Sequence, residues 1–296
     1  MNKGVKFSLI TAIVSGISIF VNKFAVNGLD SSFFVFMKNI LVAVFLFSLV
    51  LLFGQLKELK KLSRKDYGKL ALIGIFGGSI PFILFFKGLQ LTSAVNASFL
   101  HKTMFVWVSL LALFFLKEKL DRRWIIAAVL LLTGNILLLK LTSFSFGAGE
   151  LLILSATLFW SIETVISKNA LKDLSPRIVA LGRMFFGSLI VLAYISFTGE
   201  ISGIFNVTLT QLLWILITSF FLLMYVTFWY TGLKYTEAST ATSILLIGSV
   251  VTIILSSIFL DKLISISEAI GMILLVAGSL ILARNSIKSL KQKADS

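Results

Sequence analysis

Apolar and polar positions alternate along this chain on the scale of whole helices. Ten apolar runs, at 5–26, 33–54, 67–88, 94–116, 123–140, 148–168, 177–198, 211–231, 238–260 and 264–284, are separated by short polar breaks. Runs of about 20 residues suit helices crossing a hydrocarbon core roughly 30 Å thick at about 1.5 Å per residue. Strands of a membrane barrel would alternate over about 10 residues instead. The pattern predicts an all-α integral membrane protein of ten transmembrane helices. In the first run, Ser8, Thr11, Ser15, Ser18 and Asn22 recur at spacings of 3 and 4 and share one helix face. In lipid such a stripe faces protein or water. Ser15, Ser18 and Asn22 are therefore candidate cavity-lining residues, with helix packing through small hydroxyls as the alternative.

One stretch occurs twice. Lys87–Leu120 is echoed by Thr231–Leu263, with Gly88-Leu89 matching Gly232-Leu233, Ala94 matching Ala238 and Ala97 matching Ala241. Phe115-Leu116-Lys117-Glu118-Lys119-Leu120 ends the first copy and Phe259-Leu260-Asp261-Lys262-Leu263 the second, one residue shorter. An offset near 145 also aligns Lys23 with Lys168 and Lys38 with Arg183. Each half holds five runs, an odd number, so the second half enters the membrane from the opposite side. The expected architecture is two inverted five-helix repeats, 1–143 and 144–286, followed by a basic tail, 287–296. Inverted repeats in transport folds commonly place a substrate site near the midplane between them.

Composition and charge agree with a membrane location. The chain is 58% hydrophobic and 14% charged, with a mean hydropathy of +1.02, whereas soluble domains carry about 25% charged residues. The formal charge of +14 could suggest nucleic acid. Its distribution argues for topology instead. Lys57, Lys60, Lys61, Arg64, Lys65, Lys117, Lys119, Arg122, Arg123, Lys288, Lys291 and Lys293 fall at one membrane face, so both termini are expected in the cytoplasm of a cell expressing it at the plasma membrane. The N-terminal run, after Lys3 and Lys6, lacks a convincing cleavage site and reads as the first span rather than a signal peptide. The absence of cysteine excludes disulfides and thiolate metal sites, and the single histidine excludes a multi-histidine metal site.

Few residues inside the runs can carry chemistry. The polar stripe of the first run, shifted by 145, passes through Trp160, Glu163 and Ser167. Glu163 is the one carboxylate deep in a run, where a charge costs about 2.5–3.5 kcal/mol on insertion scales. Arg183 is its candidate partner, both lying about 8–9 Å from the same face. An ion pair or shared site is expected, against a fixed structural pair or a snorkelling arginine. Lys38, His101 and Lys102 lie in the other half of the membrane, with Lys102 about 12 Å deep on a face shared with Ser98, Phe105 and Ser109. Two basic side chains beside a cavity favour a carboxylate or phosphate. Snorkelling is the simpler reading of Lys38, and a hydrogen-bonded core residue the simpler reading of His101, the alternative being a proton relay. Gly74, Gly77, Gly78 and Pro81 interrupt the third run, and Gly78 with Pro81 reads as a hinge, against plain close packing. Tyr225 and Trp229 are candidate cavity walls, with Trp107 and Tyr230 as further aromatics. The candidate substrate-binding set is Lys38, His101, Lys102, Trp160, Glu163 and Arg183.

The doubled motifs resemble the EamA-type branch of the drug/metabolite transporter superfamily. Leu91-Thr92-Ser93-Ala94, Ala97-Ser98-Phe99-Leu100, Thr236-Glu237-Ala238, the two acid–base ends, Gly134 and Gly278 carry the likeness over nearly the whole chain. The resemblance implies cytoplasmic termini, a cavity lined by the first four spans of each half, and a peripheral fifth span. It departs where the family often has proline in spans four and nine, here near Phe105 and Gly248. The second acid is Asp261 rather than glutamate, and His101-Lys102 is unusual. The expected function is secondary-active, alternating-access transport of small polar metabolites, anionic or zwitterionic. Protons are the candidate coupling ion, no cofactor is needed, and the protein acts as a monomer or homodimer. Direct use of ATP is disfavoured by the lack of a GxxxxGK[ST] loop. An exporter of cationic or amphipathic drugs, a channel, and an intramembrane lipid-handling enzyme stand as alternatives.

Overall fold

The computed structural model describes residues 2–25, 30–141, 146–199 and 207–294, with side chains as far as Arg284. The expected repeat boundary at 143/144 and the side chains of the basic tail at 287–296 lie outside the described residues. Ten apolar helices long enough to cross a membrane are present among the described residues. They are α1 (Lys3–Ala25), α2 (Ser31–Leu52), α3 (Arg64–Leu91), α4 (Ala94–Phe115), α5 (Arg122–Leu139), α6 (Ala148–Ala170), α7 (Pro176–Thr198), α8 (Leu209–Tyr235), α9 (Ala238–Leu260) and α10 (Ile266–Arg284). Helical structure continues past α10 to Ala294.

Local sequence fixes the ends. Asp30 accepts from the Phe33 amide at 2.8 Å to start α2, and Asp121 accepts from Trp124 at 2.9 Å to start α5. Each satisfies an amide that the helix itself leaves unpaired. Reciprocal capping boxes, Ser63 with Asp66 and Thr208 with Gln211, open α3 and α8. The caps are polar, so α3 begins before the apolar run that marks it at 67–88.

The two halves pack as inverted repeats. α1 packs on α8 as α6 packs on α3, and α1 packs on α9 as α6 packs on α4. α2 pairs with α7, and α5 with α10, so exchanging the halves maps each of these contacts onto a contact. Burial from water cannot drive association between helices already in lipid; close packing does. The glycines show it. A Cβ on Gly4 would lie 2.4 Å from the Tyr235 carbonyl carbon in α8, and its repeat counterpart Gly149 would meet Leu91 in α3 at 2.8 Å. The same close approach joins Gly16 of α1 to Gly248 of α9, 2.4 Å from a built Cβ to carbonyl oxygen.

Three helices are irregular. α4 breaks at Thr103 (ψ −6°) and α9 at Leu246 (ψ −23°), equivalent places in the two halves, without any proline. Of the residues expected on one face of α4, Ser98 and Lys102 before the break are half-buried, and Phe105 and Ser109 after it are buried. α3 contains a π-helical segment, Gly74–Ser79, whereas its counterpart α8 runs unbroken for 27 residues.

Candidate functional site

The site grows from the irregular turn of α3. Pro81 has no N–H, so the carbonyl four residues earlier, Gly77, loses its ordinary helical donor. That carbonyl accepts from Trp160 Nε1 of α6 at 3.2 Å and from Arg183 Nη2 of α7 at 3.0 Å. The Gly78 carbonyl accepts from Asn39 Nδ2 of α2 at 2.8 Å. Four helices thus meet at two carbonyls that a regular helix would have kept to itself. A π-bulge in this position is a common mark of functional sites.

Glu163 closes the cluster. It is 2% exposed, and its Oε1 accepts from the Tyr230 hydroxyl of α8 at 2.7 Å and from Ser167 Oγ at 2.6 Å. Arg183 Nη1 donates to the same Tyr230 hydroxyl at 3.4 Å. Of the two expectations for Glu163 and Arg183, an ion pair or a shared site, the structure has the second: no direct ion pair joins them among the described residues, and Tyr230 bridges the two. Both side chains approach α3 at Gly77 from the same side, and the Arg183 guanidinium is turned to the Gly77 carbonyl and the Tyr230 hydroxyl rather than to the carboxylate. A Cβ on Gly77 would stand 2.5 Å from Glu163 Cγ and 3.1 Å from Arg183 Nε. Arg183 is 7% exposed, and its Nε is a buried donor with no partner among the described residues.

A second group of polar side chains lies farther from the termini. Lys38 Nζ of α2 donates to Asn22 Oδ1 of α1 at 3.1 Å and sits 4.8 Å from the Phe34 ring centroid. Asn22 Nδ2 donates to the Ser18 carbonyl at 2.7 Å. Lys38 is therefore held within the protein rather than extended to the surface. Lys102 Nζ of α4 donates to Ser249 Oγ of α9, across the two repeats. Neither lysine has a carboxylate partner among the described residues. His101 packs edge-on against Trp160 at 4.9 Å and Phe85 at 5.5 Å, half-buried among rings. Trp160 joins the two groups, its ring on His101 and its N–H on Gly77.

The remaining candidates divide. Ser15 and Ser18 are half-buried on α1, while Ser8 and Thr11 of the same stripe are fully buried. Thr11 bonds its own helix at Phe7, and Ser8 faces Gly232 of α8. The stripe is thus packing near the termini and more open farther away. Tyr225 stacks on Trp229 at 6.4 Å, and Trp229 is buried. A cavity of about 800 Å³ opens at the face opposite the termini, lined by residues including Thr92, Asn96, Lys140 and Glu150. It lies apart from both polar groups. Glu150 is spent there on bonds from Thr92, Asn96 and the Gly147 amide.

Sequence reading missed the role of Tyr230 and of the Gly77 carbonyl. Pro81 was the available signal for Gly77, since a proline always orphans the carbonyl four residues before it in a helix. Nothing local marks Tyr230 above the neighbouring aromatics.

Several known proteins resemble this chain. An uncharacterized transporter of Clostridium kluyveri is 30% identical over 297 residues, covering 95% of this chain and 93% of the relative. An uncharacterized transporter of Bacillus subtilis is 26% identical over 246 residues, covering 80% of this chain and 79% of the relative. A solved crystal structure shares the fold with a TM-score of 0.78 at 16% identity, covering 97% of this chain and 99% of that one. With the profile of the EamA-like transporter family matching residues 2–140 and 147–284, one segment per repeat, the chain belongs to that family.

Proposed function

We propose that this protein is a secondary-active carrier of small anionic or zwitterionic solutes, working by alternating access between its two repeats. The observation that carries the reading is the pair of half-buried lysines. Lys38 and Lys102 project from α2 and α4 and are hydrogen-bonded only to an amide and a hydroxyl. An ammonium group held inside a membrane protein without a counter-ion is costly, and a substrate carboxylate or phosphate supplies the missing charge. His101, Trp160 and Phe85 form the adjacent aromatic wall, with Ser18, Asn22 and Ser98 as polar neighbours.

Glu163, Tyr230 and Arg183 form the coupling centre in this reading. The buried carboxylate takes up a proton, loosens its hold on Tyr230 and frees Arg183 and the α3 turn at Gly78 and Pro81 to move. The terminal face is the cytoplasmic one, because the exposed basic residues Lys57, Lys60, Lys61, Lys117, Lys119 and Arg122 lie there. The membrane is the cell membrane, the two inverted halves at 1–143 and 144–286 exchange conformations, and the carrier acts as a monomer or homodimer.

The test is uptake by proteoliposomes over a panel of anionic, zwitterionic and cationic solutes, with and without a pH gradient. Anions or zwitterions should be transported, and Lys102→Ala should raise their KM about tenfold or more, the size of a lost charge-assisted bond. Transport confined to cations and untouched by Lys102→Ala would overturn the reading in favour of a cationic-drug exporter.

A further inference from the structure

At the face that carries the termini, Glu118 fastens the first repeat to the α8–α9 turn of the second, and Lys168 holds the same turn from within the second repeat. Glu118, buried in the turn after α4, accepts from the amides of Ala238 at 2.6 Å and Ser239 at 3.1 Å, and from the Ser239 hydroxyl at 2.6 Å. It caps α9, setting a carboxylate on unpaired amides at the positive end of the helix. Lys168, near the end of α6, donates to the carbonyls of Leu233 at 2.6 Å, Lys234 at 3.3 Å and Thr236 at 2.6 Å, where α8 ends. One acid and one base thus grip both sides of the α8–α9 turn.

Exchanging the halves gives every partner a counterpart in the sequence. Asp261 corresponds to Glu118 and Lys23 to Lys168. Leu89, Gln90 and Thr92 correspond to the three carbonyl residues, and Ala94 and Val95 to Ala238 and Ser239. The counterpart contacts are not made. Lys23, Ala94, Val95 and Asp261 are all exposed, and α4 is capped instead by its own Ser93. Packing agrees. The Met104–Phe115 part of α4 packs on the Ala238–Leu245 part of α9, but Ala94–Lys102 and Ile247–Leu260 form no comparable interface at the other face.

We propose that Lys23 and Asp261 are the latch of the opposite face, closing when Glu118 and Lys168 let go. Asp261 then caps α4 at Ala94 and Val95, and Lys23 takes the carbonyls of Leu89, Gln90 and Thr92. The inference rests on the alternating-access reading above. The two latches are unequal. Val95 has no hydroxyl to match Ser239, and Asp261 is one methylene shorter than Glu118. The dropped residue also puts the acid on the left-handed residue that ends α9 (φ 51°), whereas in the first half Lys117 takes that conformation (φ 58°) and the acid follows it. The latch with fewer bonds is open here, and the closed terminal face is the favoured state.

The chain has no cysteine, so a single reporter, Ser98→Cys, can be labelled by a membrane-impermeant maleimide from the face opposite the termini. Glu118→Gln should slow that labelling about tenfold, the weight of a charge-assisted cap. Adding Asp261→Asn should restore it, and adding Asp261→Glu should not. No slowing in folded Glu118→Gln protein, or no rescue by Asp261→Asn, overturns the proposal. If Glu118→Gln does not fold, a Val95→Cys/Asp261→Cys pair in otherwise unchanged protein decides. A disulfide forming during turnover supports the latch, and none forming overturns it. Shifts in labelling with no solute transported leave the latch standing and remove the carrier reading; transport without the shifts does the reverse.

Discussion

Replacing Tyr230 by phenylalanine removes one oxygen atom from the centre of the buried cluster. The ring is fully buried and its volume barely changes, so no cavity term enters. Two hydrogen bonds are lost: the hydroxyl's donation to Glu163 at 2.7 Å and its acceptance from Arg183 at 3.4 Å. Bonds to charged groups contribute about 1.5–3 kcal/mol each, and the long second one belongs at the bottom of that range or below it. Arg183 would then bury a second unpaired donor beside Nε. A loss of about 3 kcal/mol follows, read as a fall of about 5–10 °C in thermal midpoint for a chain of this size. The assay is thermal unfolding of purified protein in detergent, with Tyr225→Phe as control. The Tyr225 ring stacks on Trp229 at 6.4 Å and makes no hydrogen bond through its hydroxyl among the described residues. An unchanged midpoint for Tyr230→Phe would refute the reasoning. Glu163 and Arg183 would then be able to reach each other directly, and Tyr230 would be packing rather than a bridge.

Two further substitutions probe the same centre. Gly77→Ala drives a methyl to within 2.5 Å of Glu163 Cγ and should cost about 3 kcal/mol, at the upper end of overpacking penalties. Gly68→Ala on the same helix, where nothing lies within 4 Å of a built Cβ, should be neutral or slightly stabilising, and equal midpoints for the two would contradict the packing described. Glu163→Gln keeps the shape and the bond from Ser167 but cannot release a proton. In proteoliposomes it should abolish the response of uptake to a pH gradient, and a full response would remove Glu163 as the coupling group.

Much of the fold could be read from residues alone. The ten apolar runs predict the ten spans, because a helix in lipid must keep its surface apolar for its full length. Run ends shift by a few residues where polar caps such as Ser63 and Thr208 extend a helix into the interface. The expectation of inverted repeats followed from the doubled stretch and an odd number of spans. The site was legible only in part. Glu163 and Arg183 stand out because charges in spans are rare, and Pro81 because it must free a carbonyl. The partners of these groups were not legible: Tyr230 is 67 residues from Glu163, and Arg183 reaches Gly77 over 106 residues.

The sequence by itself determined the class of protein, the number and inverted order of its helices, and which residues were too polar for their surroundings. These follow from the free energy of each side chain in lipid, which depends on local composition and helical period. The tertiary structure alone decided which polar groups meet. That depends on the rotation of each helix about its axis, on the π-turn in α3, and on glycine contacts that let helices approach closely. It also decided which of two nearly equivalent sets of contacts is made, Glu118 and Lys168 rather than Asp261 and Lys23. A repeated sequence encodes both sets, and only the packing of the whole chain selects one.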